Sequence, residues 1–267
     1  MNIWTDFHVF AFIAMALWAI GLILFYAGKK NRSILLPAHL FSISGIIIIL
    51  IYIFLLWINL ERPPLKTIGE TRLWYVLFLS VTGYLFFLRW KYLWFLTYCL
   101  TMASLFLVIN YLNPETYDKT LMPALQSPWF IPHVIVYILA YALLAASCLV
   151  ALKGLYLEYF RKFRQEIINM ADNLVYLGFG FLTFGLLFGA LWAKEAWGHY
   201  WTWDPKETWA LLTWLVYLVY IHSRHFNPVK IKSPLWTLSL AYVILLICWL
   251  GMKYLPVALN SVHVYNN

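Results

Sequence analysis

The sequence predicts an all-α integral membrane protein, a polytopic bundle of about eight transmembrane helices with both termini on the outer face. The first observation is composition: 64% of the 267 residues are hydrophobic and 11% are charged, whereas about a quarter of the residues in a soluble globular protein are charged. The second is that the apolar residues form runs of about 20, long enough to cross a hydrocarbon core of about 30 Å. The third is the uneven distribution of lysine and arginine among the connections. This composition excludes a water-soluble fold.

Eight apolar segments can be drawn along the chain, and each is predicted to be a helix. They cover about residues 7–27, 34–59, 73–88, 92–112, 131–155, 171–193, 207–224 and 234–252. The first is longer than a signal-peptide core and has no basic leader, so it is predicted to be retained. All three cysteines lie inside these runs without CxxC spacing and are expected to be small buried hydrophobic residues. Residues 1–267 are predicted to form a single transmembrane domain.

The positive charges indicate how the helices are oriented. Connections 28–33, 89–91, 156–170 and 225–233, with their flanking residues, hold twelve of the 19 lysines and arginines but three of the 11 acidic residues. Cytoplasmic loops of membrane proteins are rich in lysine and arginine, so this side is predicted to be cytoplasmic. The same distribution accounts for the whole net charge of +8. The charge is therefore a topology signal, and no nucleic-acid partner is expected.

The most unusual segment lies at the outer approach to the seventh helix. Residues 197–209 contain Tyr200 and four tryptophans, namely Trp197, Trp201, Trp203 and Trp209. An interfacial belt accounts for one or two aromatic residues at a helix end, but not for this density. A flat apolar ligand would need such a surface, because ring faces stack and bury a large area. Haem fits, since its iron accepts imidazole ligands and its propionates could pair with Lys194 or Lys206.

The same segment contains the signals of a helix start. Asp204 is a favourable N-cap, Pro205 suits the first helical position, and Glu207 stands where a capping box places its acid. The seventh helix is therefore predicted to begin here. Asp204 is interpreted mainly as the helix cap.

The run from Trp197 through Trp209 to His222 resembles the WWD signature of haem-handling proteins. It is most similar to the CcsA (ResC) type of System II cytochrome c biogenesis, and the related CcmF and CcmC proteins carry variants of it. A looser similarity covers the outer loop around residues 64–70, the outer loop before the fifth segment and the histidine near the C-terminus. The run itself is the specific part of the resemblance.

The resemblance implies a component of a cytochrome c synthase (haem lyase), with residues 194–209 as its external WWD motif. Such a protein takes haem b as substrate and bound ligand, conducts it across the membrane, and presents it for thioether attachment to the CxxCH cysteines of apocytochrome c. A ResB/Ccs1-type membrane partner and thiol-reducing proteins are implied as well. The chain's small size and lack of a transit peptide favour a bacterial cytoplasmic (inner) membrane, with the motif facing outward, over a thylakoid membrane.

The histidines differ in their expected roles. His133, at the outer start of the fifth segment, and His263, in the outer tail, are implied by the resemblance to be the external axial ligands. His222 lies deep in the seventh segment, where an ionisable residue marks a functional site, and the resemblance implies that it ligates haem within the membrane. His39, at a similar depth, could be a second intramembrane ligand, although the resemblance assigns that ligand to the partner. His8 and His225 are expected to be interfacial, and His199, although it lies within the motif, is not expected to be a ligand.

The predicted site thus combines iron ligands with an aromatic surface. The catalytic residues are expected to be His133 and His263, and the metal ligands are these two together with His222. The cofactor-binding residues are expected to be His133, His222, His263, Trp197, Trp201, Trp203, Asp204, Lys206 and Trp209.

Three other functions remain open on the sequence. The histidines could transport haem outward without any ligation chemistry. Alternatively, His39 and His222 could hold a b-type haem in an electron-transfer or quinone-binding subunit. The aromatic surface could also bind another membrane protein in an assembly subunit. Formation of a thioether product distinguishes a lyase from a transporter, redox cycling of a retained haem indicates electron transfer, and purification without haem favours assembly.

Overall fold

The computed structural model describes residues 3–28, 32–113, 127–251, 254 and 256. Within these residues the chain forms eight long α-helices and no β-strand, which confirms the all-α fold class. The backbone divides into two compact units, residues 1–120 and residues 121–267.

The described part of the first unit contains four long helices. They are α1 (Phe7–Ala27), α2 (Leu35–Leu60), α3 (Ile68–Trp90) and α4 (Leu93–Leu112). Helices α1 and α2 approach closely because small residues lie between them: a Cβ added to Gly21 would lie 2.5 Å from Ser42 Oγ. Large aromatic side chains, including those of Trp18 and Tyr52, are buried in this unit.

A buried carboxylate fixes the start of α3. Glu70 forms a capping box with Thr67 and accepts hydrogen bonds from Arg62 at 2.9 and 3.0 Å. The helix therefore begins at Ile68, and the prediction of a short segment at 73–88 was wrong at this end because the cap lies in polar sequence. At the other end the helix continues through Trp90, so the predicted 89–91 connection is shorter than expected.

The second unit also contains four long helices. They are α5 (Phe130–Phe160), α6 (Gln165–Trp197), α7 (Pro205–Phe226) and α8 (Lys232–Leu246), and a π-helical turn (Ile247–Gly251) follows α8. Helix α5 packs along α6 and α8, and α7 contacts the same two helices. Helix α6 is longer than the predicted 171–193 because its first turns are amphipathic, with Ile167 and Ile168 buried.

Seven of the described helices, α1 to α6 and α8, are long and apolar enough to cross a membrane, which confirms the polytopic membrane character. Helix α7 has 22 residues, about 33 Å at 1.5 Å per residue, but it is less apolar. Its polar and aromatic residues Thr213 and Tyr217 are buried, whereas Leu215 and Val219 are exposed. This arrangement fits a helix that faces lipid with its apolar side, and the eighth span stays a prediction.

Candidate functional site

The WWD segment begins where α6 ends. Gly198 has a left-handed backbone with φ 84°, a conformation that suits glycine because it has no Cβ. Lys194 Nζ donates a 2.8 Å hydrogen bond to the Gly198 carbonyl and lies 5.4 Å from the centre of the Tyr200 ring. Lys194 thus holds the turn that leads from α6 to the exposed Tyr200.

Glu207 organises the approach to α7. Its Oε2 accepts hydrogen bonds from the backbone nitrogens of Thr202, at 2.8 Å, and Asp204, at 3.1 Å. Asp204 Oδ1 in turn accepts from the Lys206 nitrogen at 2.8 Å, and together Asp204 and Glu207 form a capping box. The predicted N-cap role of the buried Asp204 is confirmed.

The backbone between the C-cap of α6 at Gly198 and the N-cap of α7 at Asp204 holds the Trp203 indole outward. Trp203 has φ 62°, a conformation that costs a bulky residue about 1–3 kcal/mol, and its side chain is 68% exposed. Trp201 packs edge-on against it, with ring centroids 5.7 Å apart. The Trp201 Nε1 is buried and has no hydrogen-bond partner among the described residues. The segment therefore offers both a ring face and an N–H donor.

Two successive ring contacts connect the WWD segment with α5. The rings of Trp197 and Trp192 are 5.0 Å apart, and those of Trp192 and His133 are 5.3 Å apart. His133 also meets the edge of Tyr137 at 4.8 Å. Trp192 is buried, so it fills the space between His133 and Trp197. Two of the predicted site residues, His133 and Trp197, are thereby brought to the same end of the second unit.

The tautomer of His133 follows from its hydrogen bond. Its Nδ1 lies 2.9 Å from the Gly185 carbonyl oxygen on α6, and since a carbonyl oxygen can only accept, Nδ1 carries the hydrogen. In neutral imidazole the lone pair then lies on Nε2. Metal-ligating histidines in proteins commonly donate their other ring N–H in this way. The half-buried His133 therefore has the protonation pattern of a ligand through Nε2.

His222 has the same pattern on the exposed side of α7. Its Nδ1 lies 2.9 Å from the Leu218 carbonyl oxygen of its own helix, which again places the lone pair on Nε2. The ring packs near Phe226, with centroids 6.2 Å apart. His222 thus presents an acceptor nitrogen at the surface of the described residues.

An ion pair braces the helix beside His222. Arg224 donates to Asp172 of α6 from Nε at 3.0 Å and from Nη2 at 3.0 Å, and the Tyr220 hydroxyl donates to the same carboxylate at 2.6 Å. Arg224 Nη1 also donates to the Pro228 carbonyl at 2.7 Å. These contacts fix the inner end of α7 against α6.

The remaining predicted residues have less specific surroundings. Lys206 and Trp209 are half-buried in the first turns of α7, and the Lys206 carbonyl is 4.0 Å from Cys248 Sγ in the π-helical turn. His199 is exposed within the motif. His263 lies outside the described residues, so the second external ligand stays a prediction.

His39 belongs to the first unit. Its Nδ1 is 2.8 Å from the Tyr84 hydroxyl, and its ring meets Phe25 edge-on at 4.8 Å. Either atom of the His39–Tyr84 pair can be the donor, so the tautomer of His39 is not fixed as it is in His133. His8 donates to the Thr5 carbonyl at 2.8 Å near the start of α1, and His225 is exposed beside Phe226.

The described residues contain no group of three or more histidine, cysteine or acidic side chains that could hold a metal ion. A haem iron differs, because the porphyrin supplies four ligands and the protein supplies only the axial ones. The three cysteines are buried and not in disulfides, which confirms their prediction as small buried residues.

Sequence reasoning missed the surroundings of His133. Trp192, Gly185 and Gly189 all contact or approach its ring, yet none stands out in an apolar run. The four-residue spacing of the two glycines on α6 is the signal that points to a close helix contact. The partner of that contact depends on the register between α5 and α6.

Comparison with known proteins identifies the family. The family model described as cytochrome C assembly protein matches residues 6–259. The chain belongs to the cytochrome c assembly protein family. It is 32% identical to the cytochrome c biogenesis protein CcsA of Guillardia theta over 96% of this chain and 97% of that protein. It is also 32% identical to CcsA of Chlamydomonas reinhardtii, over 88% of this chain and 70% of the relative. The predicted resemblance to the CcsA type is confirmed.

A solved structure shares the fold. The cytochrome c haem lyase CcmF superposes with a TM-score of 0.72 over 93% of this chain, at 15% sequence identity. This chain spans 47% of that structure's length, so the likeness concerns the fold alone. Family membership supports a role in cytochrome c biogenesis and in haem handling.

Proposed function

We propose that this protein binds haem at the outer end of its second unit and presents it for covalent attachment to apocytochrome c, as a component of a cytochrome c synthase. The observation that carries the proposal is the environment of His133. Its Nδ1 donates to the Gly185 carbonyl, and its ring contacts Trp192, which in turn contacts Trp197 of the WWD segment. A histidine that carries its lone pair on Nε2, beside a segment rich in exposed aromatic rings, suits a flat macrocycle with a central iron.

The residues of the WWD segment fit the chemistry of haem. The exposed faces of Trp203 and Tyr200 offer stacking area for the macrocycle. The buried Trp201 N–H, which has no partner among the described residues, suits a propionate oxygen, and Lys194 and Lys206 can supply positive charge there. Trp209 completes the aromatic group at the start of α7.

The protein's own contribution is positioning. Haem supplies two vinyl groups, and each cysteine S–H of CxxCH adds across one vinyl C=C to give a new C–S bond and a new C–H bond without net oxidation. His133 and His263 hold the iron and restrict access to it. The WWD residues orient the ring so that its edge meets the incoming thiols, which thiol-reducing proteins keep reduced. Correct orientation of two reactants accounts for a large part of such a catalytic effect.

The intramembrane part of the proposal rests on His222. It lies on the exposed surface of α7 with its lone pair on Nε2, where a helix of a ResB/Ccs1-type partner would supply the opposite axial ligand. The rigid Asp172–Arg224 pair keeps this histidine in place. The membrane itself is proposed to be a bacterial cytoplasmic membrane, and relatives from Chlamydomonas and Guillardia make the thylakoid the alternative to test.

The proposal is tested by the absorption spectrum and haem content of the full chain, purified with its partner. We expect His133→Ala to lose the low-spin, six-coordinate signature and to regain it partly with added imidazole. His8→Ala is the matched control, because His8 has the same Nδ1–carbonyl hydrogen bond in the first unit. Unchanged haem content, spectrum and cytochrome yield in the His133 variant would rule out its ligation.

One observation favours a second function, haem transport without ligation. His222 lies near the inner end of α7, far along the helix from the outer segment, as a stepwise path for haem would require. The haem-loaded protein is mixed with a reduced CxxCH peptide, and the product is examined by mass spectrometry. A covalent thioether adduct supports the synthase, whereas haem release without an adduct supports transport alone.

A further inference from the structure

We infer that Gly185 and Gly189 of α6 are positioning residues for the His133 imidazole. They form the surface on which the ring lies, and so they set the direction in which Nε2 points. This inference rests on the proposed function, because it matters only if His133 is an iron ligand.

The contact between Gly189 and the His133 ring leaves no room for a Cβ unless one of the two residues moves. A Cβ added at Gly189 would lie 2.8 Å from His133 Cε1 and 2.9 Å from Nδ1, but 3.8 Å from Nε2. At distances under 3.0 Å one of the two groups must shift. The added methyl group would therefore push on the edge of the imidazole that carries Nδ1, the atom that donates to the Gly185 carbonyl.

Gly185 acts on both the ring and its neighbour. Its carbonyl accepts the Nδ1 hydrogen, and a Cβ at this position would lie 3.0 Å from two carbons of the Tyr137 ring. The Tyr137 ring in turn lies nearly perpendicular to the His133 ring, with centroids 4.8 Å apart. The two glycines, the Tyr137 ring and the Trp192 ring thus lie against the imidazole, and the hydrogen bond from Nδ1 to Gly185 orients it.

The glycines are not explained by backbone conformation. Among the described glycines only Gly198 has a positive φ, so Gly185 and Gly189 are ordinary helical residues. A glycine inside a helix costs about 1 kcal/mol relative to alanine. Close approach of α5 is what requires them, and at Gly189 the approaching group is the proposed ligand itself.

The register between α5 and α6 provides matched controls. Gly178 faces Leu144, seven residues from the Gly185–Tyr137 contact on both helices, and a Cβ there would lie 2.8 Å from Leu144 Cδ2. Gly180 lies on the same helix with nothing within 4 Å of an added Cβ. Gly178→Ala therefore tests tight packing without the histidine, and Gly180→Ala tests helix propensity alone.

The experiment measures haem affinity, the spectrum and thermal stability of the full chain with its partner for Gly189→Ala, the two control variants and His133→Ala. We expect Gly189→Ala to weaken haem binding by roughly 10- to 100-fold, as loss of a ligand-orienting contact does. We also expect added imidazole to restore the low-spin spectrum. Both control variants should keep the wild-type affinity and spectrum.

The outcomes distinguish a failure of the Gly189 inference from a failure of the proposed function. Loss of the ligand signature in His133→Ala, together with wild-type haem binding in Gly189→Ala, overturns the inference and leaves the proposed function intact. A wild-type spectrum in His133→Ala overturns the proposed function itself. An equal loss of haem in Gly178→Ala and Gly189→Ala also contradicts the inference, because general packing would then be the cause.

Discussion

The capping carboxylate of Glu207 is expected to control haem binding through the conformation of Trp203. Replacing Glu207 with alanine removes the acceptor of the Thr202 and Asp204 backbone N–H groups. Because water can reach this turn, the lower end of the range for lost caps and charged hydrogen bonds applies, about 1–2 kcal/mol. The left-handed conformation of Trp203 costs a similar amount, about 1–3 kcal/mol.

These two free energies compensate each other in the wild-type protein. Once the hydrogen bonds to Glu207 are gone, the strain at Trp203 is offset only by its weaker contacts, such as the edge-on packing of Trp201, and the backbone is expected to relax and turn the indole away. An ordering penalty of about 1.4 kcal/mol corresponds to a tenfold loss of affinity. We therefore predict that Glu207→Ala weakens haem binding about tenfold, whereas Glu207→Gln, which keeps an acceptor of the same length, has a smaller effect.

The assay is a titration of the haem-depleted protein with haem, followed by absorbance, with thermal unfolding as the check on folding. Glu195→Ala is the control, because Glu195 is an exposed carboxylate at the end of α6 that accepts a hydrogen bond from Ser127 Oγ at 2.7 Å and, among the described residues, none from the Thr202–Asp204 backbone. Wild-type haem affinity in a folded Glu207→Ala variant, combined with weakened binding in Trp203→Ala, would refute the link between this cap and the indole.

Three further predictions concern stability and the aromatic surface. Trp203→Gly removes the backbone strain together with the ring. The free energy of unfolding should therefore rise by about 1 kcal/mol, while haem affinity falls. A stable variant with full affinity would exclude Trp203 from the binding surface. Arg224→Ala leaves the Asp172 carboxylate without its guanidinium and should lower the free energy of unfolding by about 3 kcal/mol. The Asp172→Ala/Arg224→Ala double variant should recover part of that lost free energy. If the losses of the two single variants simply add in the double variant, in unfolding experiments in detergent, the pairing is contradicted. Trp201→Phe keeps an aromatic ring but removes the indole N–H, so it should weaken the binding of haem but not of haem dimethyl ester, which has no free carboxylate. Equal effects on both ligands would show that the N–H does not contact a propionate.

The sequence was informative where local chemistry decides the structure. The spacing of Asp204, Pro205 and Glu207 predicted the start of α7, and the structure has the corresponding capping box. Composition and apolar runs predicted the helical membrane class. The helix ends were less predictable, because amphipathic turns such as the first turn of α6 and the polar cap at Thr67 continue a helix beyond its apolar core.

The surroundings of His133 could not be predicted, since they depend on tertiary packing. The contacts of Gly185 and Gly189 require the register of α5 against α6, which no local pattern specifies. The positive φ of Trp203 was also absent from the expectations, because it results from the two caps that flank it. Hydropathy alone does not identify α7 as a membrane span, because its buried side carries hydroxyl groups while its exposed side carries aliphatic residues.

The most direct test of the account is the reduced and oxidised absorption spectrum of the purified protein, with its partner and ample haem, before and after the His133→Ala substitution. Sharp reduced α and β bands in the wild type, lost in the variant and partly restored by imidazole, are the predicted result. A colourless wild-type protein, or identical bands in the variant, would contradict ligation of haem by His133 at the outer WWD segment.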